Sequence, residues 1–431
     1  MAYYVIFGTF YLSMYLFFII FINMNILSRI LTVTILAGFT IGTYAAPPST
    51  KTAKLPFEFD LEARALVGDY INYGNFNFNM PMASLDLDAQ IRWRIDREND
   101  FKAKYKAEII KAFTSYSTSG LFMDTYEQQL DLDLFYRKKG LRIDTFFDYT
   151  WKLRPQWPDF YQTNVVGTTL VFTPTDRFTY HKLNPGVKGK FALDKEWDLL
   201  AKAEYEAKIS TIDPNWTPTH VTPRGYNAYG AEVGVDYSPE GESYSIELSN
   251  HFERKHFTHL PSRNAISGGT SGGTNPLYVA WSNTTELKAD FEINSINMTI
   301  TPRYAIEFYT DEFEGYYSYI GHKFGLDVKQ SLFNGAFEYE IGGKFKTLGY
   351  GPNSKDPANL TDGKPLYKNY ILADVELLYH FNQNFSIFIE GDLFIKQSNY
   401  PDSLQSGVTP EDDILFNYDN FYIGSGVEYR L

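Results

Sequence analysis

From Pro56 to the C-terminus, apolar and polar residues alternate with a period of two. In the segment Leu141–Leu153 the odd positions read Leu, Ile, Thr, Phe, Tyr, Trp, Leu and the even ones Arg, Asp, Phe, Asp, Thr, Lys. Successive side chains of a strand leave on opposite faces, so this is a strand with one apolar and one largely charged face. Leu85–Ile95, Phe101–Ile109 and Leu199–Ile209 repeat the pattern, as do Phe337–Phe345 and Phe385–Ile395. A helix would need apolar residues at spacings of three and four, which these segments lack. The pattern predicts eighteen strands between 57 and 431. Three of them, near 163–173, 177–183 and 186–193, surround a weak stretch where Pro174 and Asn184-Pro185-Gly186 interrupt short runs. Loss of one hairpin there would leave sixteen.

The connections sort into two kinds. Short polar turns occupy Asp96–Asn99, Arg137–Gly140, Asp194–Glu196 and Phe381–Asn384; longer segments occupy Asp69–Pro81, Lys255–Ser282, Gly349–Lys368 and Gln397–Asp419. Such alternation predicts an all-β fold, a transmembrane antiparallel β-barrel of 16–18 strands with short periplasmic turns and long extracellular loops. Strands meeting the short turns should then carry lipid-facing aromatics at that end. Trp93, Tyr136, Tyr379 and Tyr429 fall there, on the apolar side of their strands, as a membrane-interface girdle requires.

The first 45 residues read differently. An uncharged apolar run covers Tyr3–Ile22, and after Met24 a single basic residue, Arg29, precedes an apolar stretch ending in Thr43-Tyr44-Ala45. Residues 1–45 are therefore expected to be an N-terminal extension and signal peptide, with translation starting at Met24 and cleavage after Ala45. One long membrane anchor with a hairpin is the other reading. Residues 46–56 would form a short periplasmic segment and 57–431 the barrel.

Composition narrows the chemistry. Cysteine is absent, which excludes disulfide frameworks and thiolate chemistry. With 39 Lys+Arg against 52 Asp+Glu, the formal charge of −13 argues against a nucleic-acid partner. His251, His256 and His259 cluster without the second matched pair that a metal site would want. The Gly-rich run 267–274 has no following Gly-Lys-Ser/Thr, so it is not a phosphate loop. No metal, cofactor or enzymatic activity is indicated. The 34 Tyr and 35 Phe exceed what disorder allows, and suit an apolar wall with aromatic belts.

The charged faces must line something wet. Arg92, Arg94, Lys102, Lys104 and Lys106 form a basic block around one short turn, and Asp131, Asp133, Asp144 and Asp148 an acidic block facing it. Glu390 and Asp392 belong to the same inner set. Segregated blocks would impose a transverse field across a lumen; neutralisation as wall ion pairs is the alternative. Inward aromatics Phe135, Phe146, Phe388 and Phe394 would provide either a stacking track or wall packing.

The C-terminal strand FYIGSGVEYRL places Phe421, Tyr429 and Leu431 on one face. It resembles the assembly signal of outer-membrane barrels, although Leu431 stands where Phe or Trp is usual. With the leader, the chain resembles Gram-negative outer-membrane porins, and in its Gly-Val-Glu-Tyr type of ending the fusobacterial major porins. The resemblance implies an outer-membrane channel passing small hydrophilic solutes and ions by diffusion. A channel selective for sugars, or a surface adhesin or structural barrel, are the alternatives. It also implies contact with outer-membrane lipid and the barrel assembly machinery. A homotrimer would suit a wide pore, and host or cell-surface ligands could meet the loops.

Overall fold

The computed structural model describes residues 57–73, 78–112, 124–153, 157–166, 169–175, 179–210, 225–262, 275–315, 317–350, 367–398 and 418–431. The expected leader, the segment 46–56 and the Gly-rich run 267–274 lie outside the described residues. The first half of the barrel chain comprises strands Phe57–Tyr73 (β1), Phe78–Arg94 (β2), Asn99–Ala112 (β3), Thr125–Lys138 (β4), Leu141–Leu153 (β5), Trp157–Val166 (β6), Thr169–Thr175 (β7), Tyr180–Ala192 (β8) and Trp197–Ser210 (β9). The second half comprises Tyr226–Tyr237 (β10), Tyr244–Pro261 (β11), Leu277–Ile293 (β12), Met298–Asp311 (β13), Tyr319–Leu332 (β14), Phe337–Tyr350 (β15), Tyr367–His380 (β16), Phe385–Ser398 (β17) and Tyr418–Arg430 (β18).

Sixteen of these strands close into an antiparallel barrel, with β5 paired to β8 and β1 to β18. Strands β6 and β7 form a separate two-stranded sheet. The stretch around 174–193 therefore resolves differently from the sequence expectation: β8 runs unbroken through Asn184-Pro185-Gly186, and the extra hairpin stands outside the barrel sheet. The reason is local. An antiparallel residue aims both its backbone groups at one neighbour, so a proline costs the ladder on that side only. Pro185 keeps its register place opposite Phe147 on β5. Pairing with β9 passes over Asn184 and Pro185, then resumes at Gly186 opposite Glu204 in unchanged register.

One end of the barrel is built from short turns with their own chemistry. Asp96 accepts hydrogen bonds from the N–H groups of Glu98 (2.7 Å) and Asn99 (2.8 Å). Asp194 does the same for Glu196 and Trp197, and Asn382 for Asn384 and Phe385. Three turns thus use one Asx device. The β4–β5 connection is a two-residue loop, Lys139-Gly140, with φ of 23° and 76°, which glycine supplies without strain at its second position. At the other end the connections are longer, with one exception. The expected long segment Asp69–Pro81 is mostly strand, because β1 extends to Tyr73 and β2 begins at Phe78, leaving 74–77 as the connection.

Side-chain parity divides the wall. Large apolar residues at outward positions are solvent-exposed, among them Val233, Leu248, Leu287, Phe324, Ile341 and Ile389. Such a surface is matched to hydrocarbon rather than water. Where these strands meet the short turns, aromatic rings touch from strand to strand: Trp197 and Tyr237 at 4.6 Å, Tyr237 and Tyr244 at 6.5 Å, Tyr244 and Phe291 at 6.3 Å. At this same end Trp93, Tyr379 and Tyr429 are exposed and Tyr136 is half-buried. The seam between first and last strands is closed by paired backbone hydrogen bonds between Leu61 and Leu431 and by the β1–β18 ladder.

Candidate functional site

The inner face is the candidate site, because charged residues converge there from all around the barrel. The anticipated basic and acidic blocks lie on neighbouring strands, not across the lumen from each other. In register, Lys102 stands opposite Asp133, Lys104 opposite Asp131, and Asp131 opposite Asp148. Arg92 reaches Asp100 at 2.9 Å, Arg94 and Arg137 reach the same carboxylate at 3.8 and 3.2 Å, and Lys104 meets Asp88 at 2.7 Å. Lys102 approaches Asp133 at 4.0 Å, and Gln129 donates to Asp131 at 2.9 Å. Lys106 is exposed, between Asp88 and Gln129 in register. The expected segregated field is thus corrected to an interleaved lattice, because adjacent strands bring opposite charges within bonding distance before any field can span the lumen. Asp144 faces Lys188 in the ladder, and beside it Arg142 lies over the Phe135 ring at 5.1 Å.

Acids predominate on the stretch that closes the barrel. Glu390 stands opposite Glu376 and Asp392 opposite Asp374, two like-charge pairs on β16 and β17. Arg64 of β1 inserts among them. Its guanidinium bonds Glu376 at 2.8 Å, approaches Glu428 at 3.4 Å and Glu390 at 3.9 Å, and lies 4.0 Å over the Phe388 ring. Glu428 is 1% exposed and also pairs with Arg430 at 2.8 Å. Periodicity assigned Glu390 and Asp392 inward but did not single out Arg64, whose partners lie more than 300 residues away in sequence.

Of the inward phenylalanines, Phe394 is half-buried beside Tyr370 at 6.1 Å between centroids, and the other three pack into the wall. Phe388 is 2% exposed and Phe135 9% exposed, so both rings are wall. Phe146 lies flat on Gly186, where an added Cβ would come 2.2 Å from the ring, and Phe388 similarly covers Gly426 at 2.7 Å. An aromatic ring folded over a bare glycine on the next strand fills the wall without entering the lumen.

A different set of rings does face inward. Near the long-loop end, inward positions on six consecutive strands, β10 to β15, are Tyr226, Phe257, Tyr278, Tyr309, Tyr319 and Tyr350. Neighbouring centroids lie 5.6 Å apart for Tyr226–Phe257, 4.9 Å for Phe257–Tyr278, 4.9 Å for Tyr309–Tyr319 and 5.5 Å for Tyr319–Tyr350. The Tyr278 hydroxyl donates to that of Tyr309 at 2.8 Å, closing the arc. Sequence reading missed it, because each ring lies near the end of a strand that otherwise reads as charged on that face. The signal was a tyrosine or phenylalanine at an inward position close to the mouth end of one strand after another.

The histidines do not gather. His251 faces inward beside Glu232 at 3.6 Å, and His256 lies at an outward position of the same strand. Among the described residues no group of three or more metal-ligating side chains forms.

No family model matches the chain, and no curated protein matches it. Solved structures of similar shape include OprB of Pseudomonas putida at high pH, with a TM-score of 0.45 and 9% identity over 87% of this chain and 94% of that one. In-vitro folded OmpT, an outer-membrane protein of Vibrio cholerae in its trimer form, gives 0.42 and 11% over 87% and 99%. An anion-selective porin from Comamonas acidovorans gives 0.42 and 8% over 87% and 100%. At such scores these likenesses carry no argument about activity.

Proposed function

We propose that the chain spans the outer membrane of a Gram-negative cell as a channel for small hydrophilic solutes and ions. The observation that carries this reading is the two-faced wall: large exposed apolar residues outside and ion pairs inside, an alternation interrupted on the outer face by Asn250 and Asn283, which bond each other at 3.0 Å. Sixteen strands enclose a lumen wide enough for water, and a closed sheet leaves no backbone edge unsatisfied in lipid. The outward residues of β18, with Tyr429 and Leu431 exposed and Phe421 half-buried, are the segment we assign to recognition by the assembly machinery. The like-charge pairs of β16 and β17 favour cations over anions in passage.

Purified protein in a planar bilayer should give discrete conductance steps, with a reversal potential of cation sign in a salt gradient. A barrel that shows heat-modifiable gel mobility but never conducts would overturn the channel. An anion-sign potential would overturn the selectivity alone.

A further inference from the structure

The aromatic arc at the long-loop end of the lumen has the composition of a ligand site. Strands are spaced ~4.8 Å apart, so six rings on successive strands extend roughly 24 Å around the wall. Apart from Tyr278, 4% exposed, the rings are half-buried, with part of each open to the lumen. On β11, β13, β14 and β15, two to four positions further from the mouth, the aromatics give way to ion pairs. Glu253 sits with Lys255 at 3.0 Å, and Glu307 with Lys323 and Lys346 at 3.1 and 3.3 Å.

Charge decides what could bind. Glu253 and Glu307 are already matched by lysines, and Asp311 accepts from the N–H groups of Phe313 and Tyr317, so a free cation gains little there. The ring faces are also supplied with cations: Lys255 lies 4.6 Å over Tyr226, Lys346 5.7 Å over Tyr319 and Lys368 5.3 Å over Tyr350. An organic cation over the same rings would meet the like charge of these lysines, and an anion would have to break an ion pair; a neutral ligand incurs neither cost. A neutral ligand with an apolar face and a hydroxyl-bearing edge meets both parts of the wall at once. Its C–H face stacks on the rings, and its hydroxyls exchange water for the carboxylate and ammonium groups beside them. The length of the arc exceeds one sugar ring.

We propose that this arc binds a neutral oligosaccharide at the long-loop mouth, a proposal that rests on the channel reading. Hydroxyls of the bound sugar take hydrogen bonds from Lys255 and Lys346 and give them to Glu253 and Glu307, while Tyr309, Tyr319 and Tyr350 provide the stacking surface.

The test is the full chain in a planar bilayer, with maltotriose, cellotriose or chitotriose added in rising concentration. Polyethylene glycol of similar size serves as the control. A saturable fall in ionic current with any of the three sugars, absent with the polymer, is expected. Tyr319→Leu with Tyr350→Leu keeps apolar bulk but removes the flat faces, and should weaken the block about tenfold, the scale of one or two lost ring contacts. Tyr319→Phe with Tyr350→Phe should keep the block. Should the paired Leu variant fail to fold, Tyr350→Leu alone, at the end of the arc, serves the same comparison. No saturable block with all three sugars, or a block unchanged by the Leu substitution, overturns the proposal. Current without sugar tests the channel separately. If a folded barrel does not conduct, sugar binding is read in detergent from tyrosine fluorescence, where an absence of saturable change overturns the arc as a saccharide site.

Discussion

Replacing Arg64 by Met removes a guanidinium that ties four strands together where the barrel closes. Arg64 on β1 bonds Glu376 on β16 at 2.8 Å and approaches Glu428 on β18 and Glu390 on β17. An exposed ion pair contributes about 0–1 kcal/mol. Removing one partner of a buried pair costs about 3–5 kcal/mol, because the remaining charge is left uncompensated. Arg64 falls between these limits. Its side chain is 21% exposed and that of Glu376 37%, which brings solvent screening, but Glu428 is 1% exposed. Glu428 keeps Arg430 at 2.8 Å, so it is not fully orphaned. The methionine also keeps an apolar stem against Phe388, so packing changes little. The expected loss is roughly 2–3 kcal/mol, intermediate between the two limits. Adding Glu428→Gln to the same chain removes the uncompensated charge and should restore about 1 kcal/mol, a coupling of the usual size for contacting residues. Reversible denaturant unfolding of the barrel in lipid vesicles, followed by tryptophan fluorescence, measures both. An Arg64→Met barrel within 0.5 kcal/mol of the parent, on the scale of ordinary surface substitutions, would refute the clamp.

Leu248→Arg puts a charge on the apolar belt and should cost about 2–4 kcal/mol in the same assay, whereas Ser249→Arg, one residue along and facing inward, should cost far less. Equal costs would contradict the assigned parity. Gly186→Val drives a Cβ to 2.2 Å from the Phe146 ring and should destabilise by about 1–3 kcal/mol, while Gly343→Ala, whose Cβ meets nothing nearer than 4.0 Å, should be close to neutral. In the β2–β3 turn, the Asn99 side chain and then the N–H groups of Glu98 and Asn99 hold the Asp96 carboxyl below its ordinary range. A depressed carboxyl contributes fully above its unfolded value and loses that contribution as pH falls through the folded one. Protection of the Glu98 and Asn99 amides from exchange, taken relative to the intrinsic rate at each pH, should therefore fall in acid below the ordinary carboxylate range, and Asp96→Ala should lack it already at neutral pH; a variant protected like the parent would remove the cap.

Strand existence and parity were legible because they depend on neighbours in sequence. Alternation at Leu85–Ile95 or Leu199–Ile209 fixes which side chains share a face, and the structure keeps every such assignment. Turn chemistry was equally local, since Asp96, Asp194 and Asn382 each bond only two and three residues ahead. Pro185 misled because sequence cannot tell which neighbour a strand residue addresses, and therefore how little of the ladder a proline removes. The site was harder for the same kind of reason. Parity places Lys104 inward, but only register brings it to Asp88, and only closure of the barrel brings Arg64 to Glu376. Pairing across strands turns the basic and acidic runs of the sequence into a lattice.

Aromatic content shows how far position governs role. Among the described residues, Tyr and Phe are divided three ways by parity and height. An outward ring beside a short turn, such as the half-buried Tyr237 or Tyr244, belongs to a girdle whose neighbours are other rings. An inward ring in mid-wall, such as Phe146 or Phe388, is pressed onto a glycine and adds thickness without binding surface. An inward ring at the mouth end of a strand, such as Tyr319, has no lipid outside it and meets other rings edge or face. Girdle rings can be exchanged for other interfacial residues at small cost, and mid-wall rings only together with their glycines. Rings of the third kind contact water on one side, so selection on them acts through what they hold as well as what they pack against. That difference separates a binding arc from a structural collar: in a collar, leucine would replace tyrosine without changing what crosses the channel.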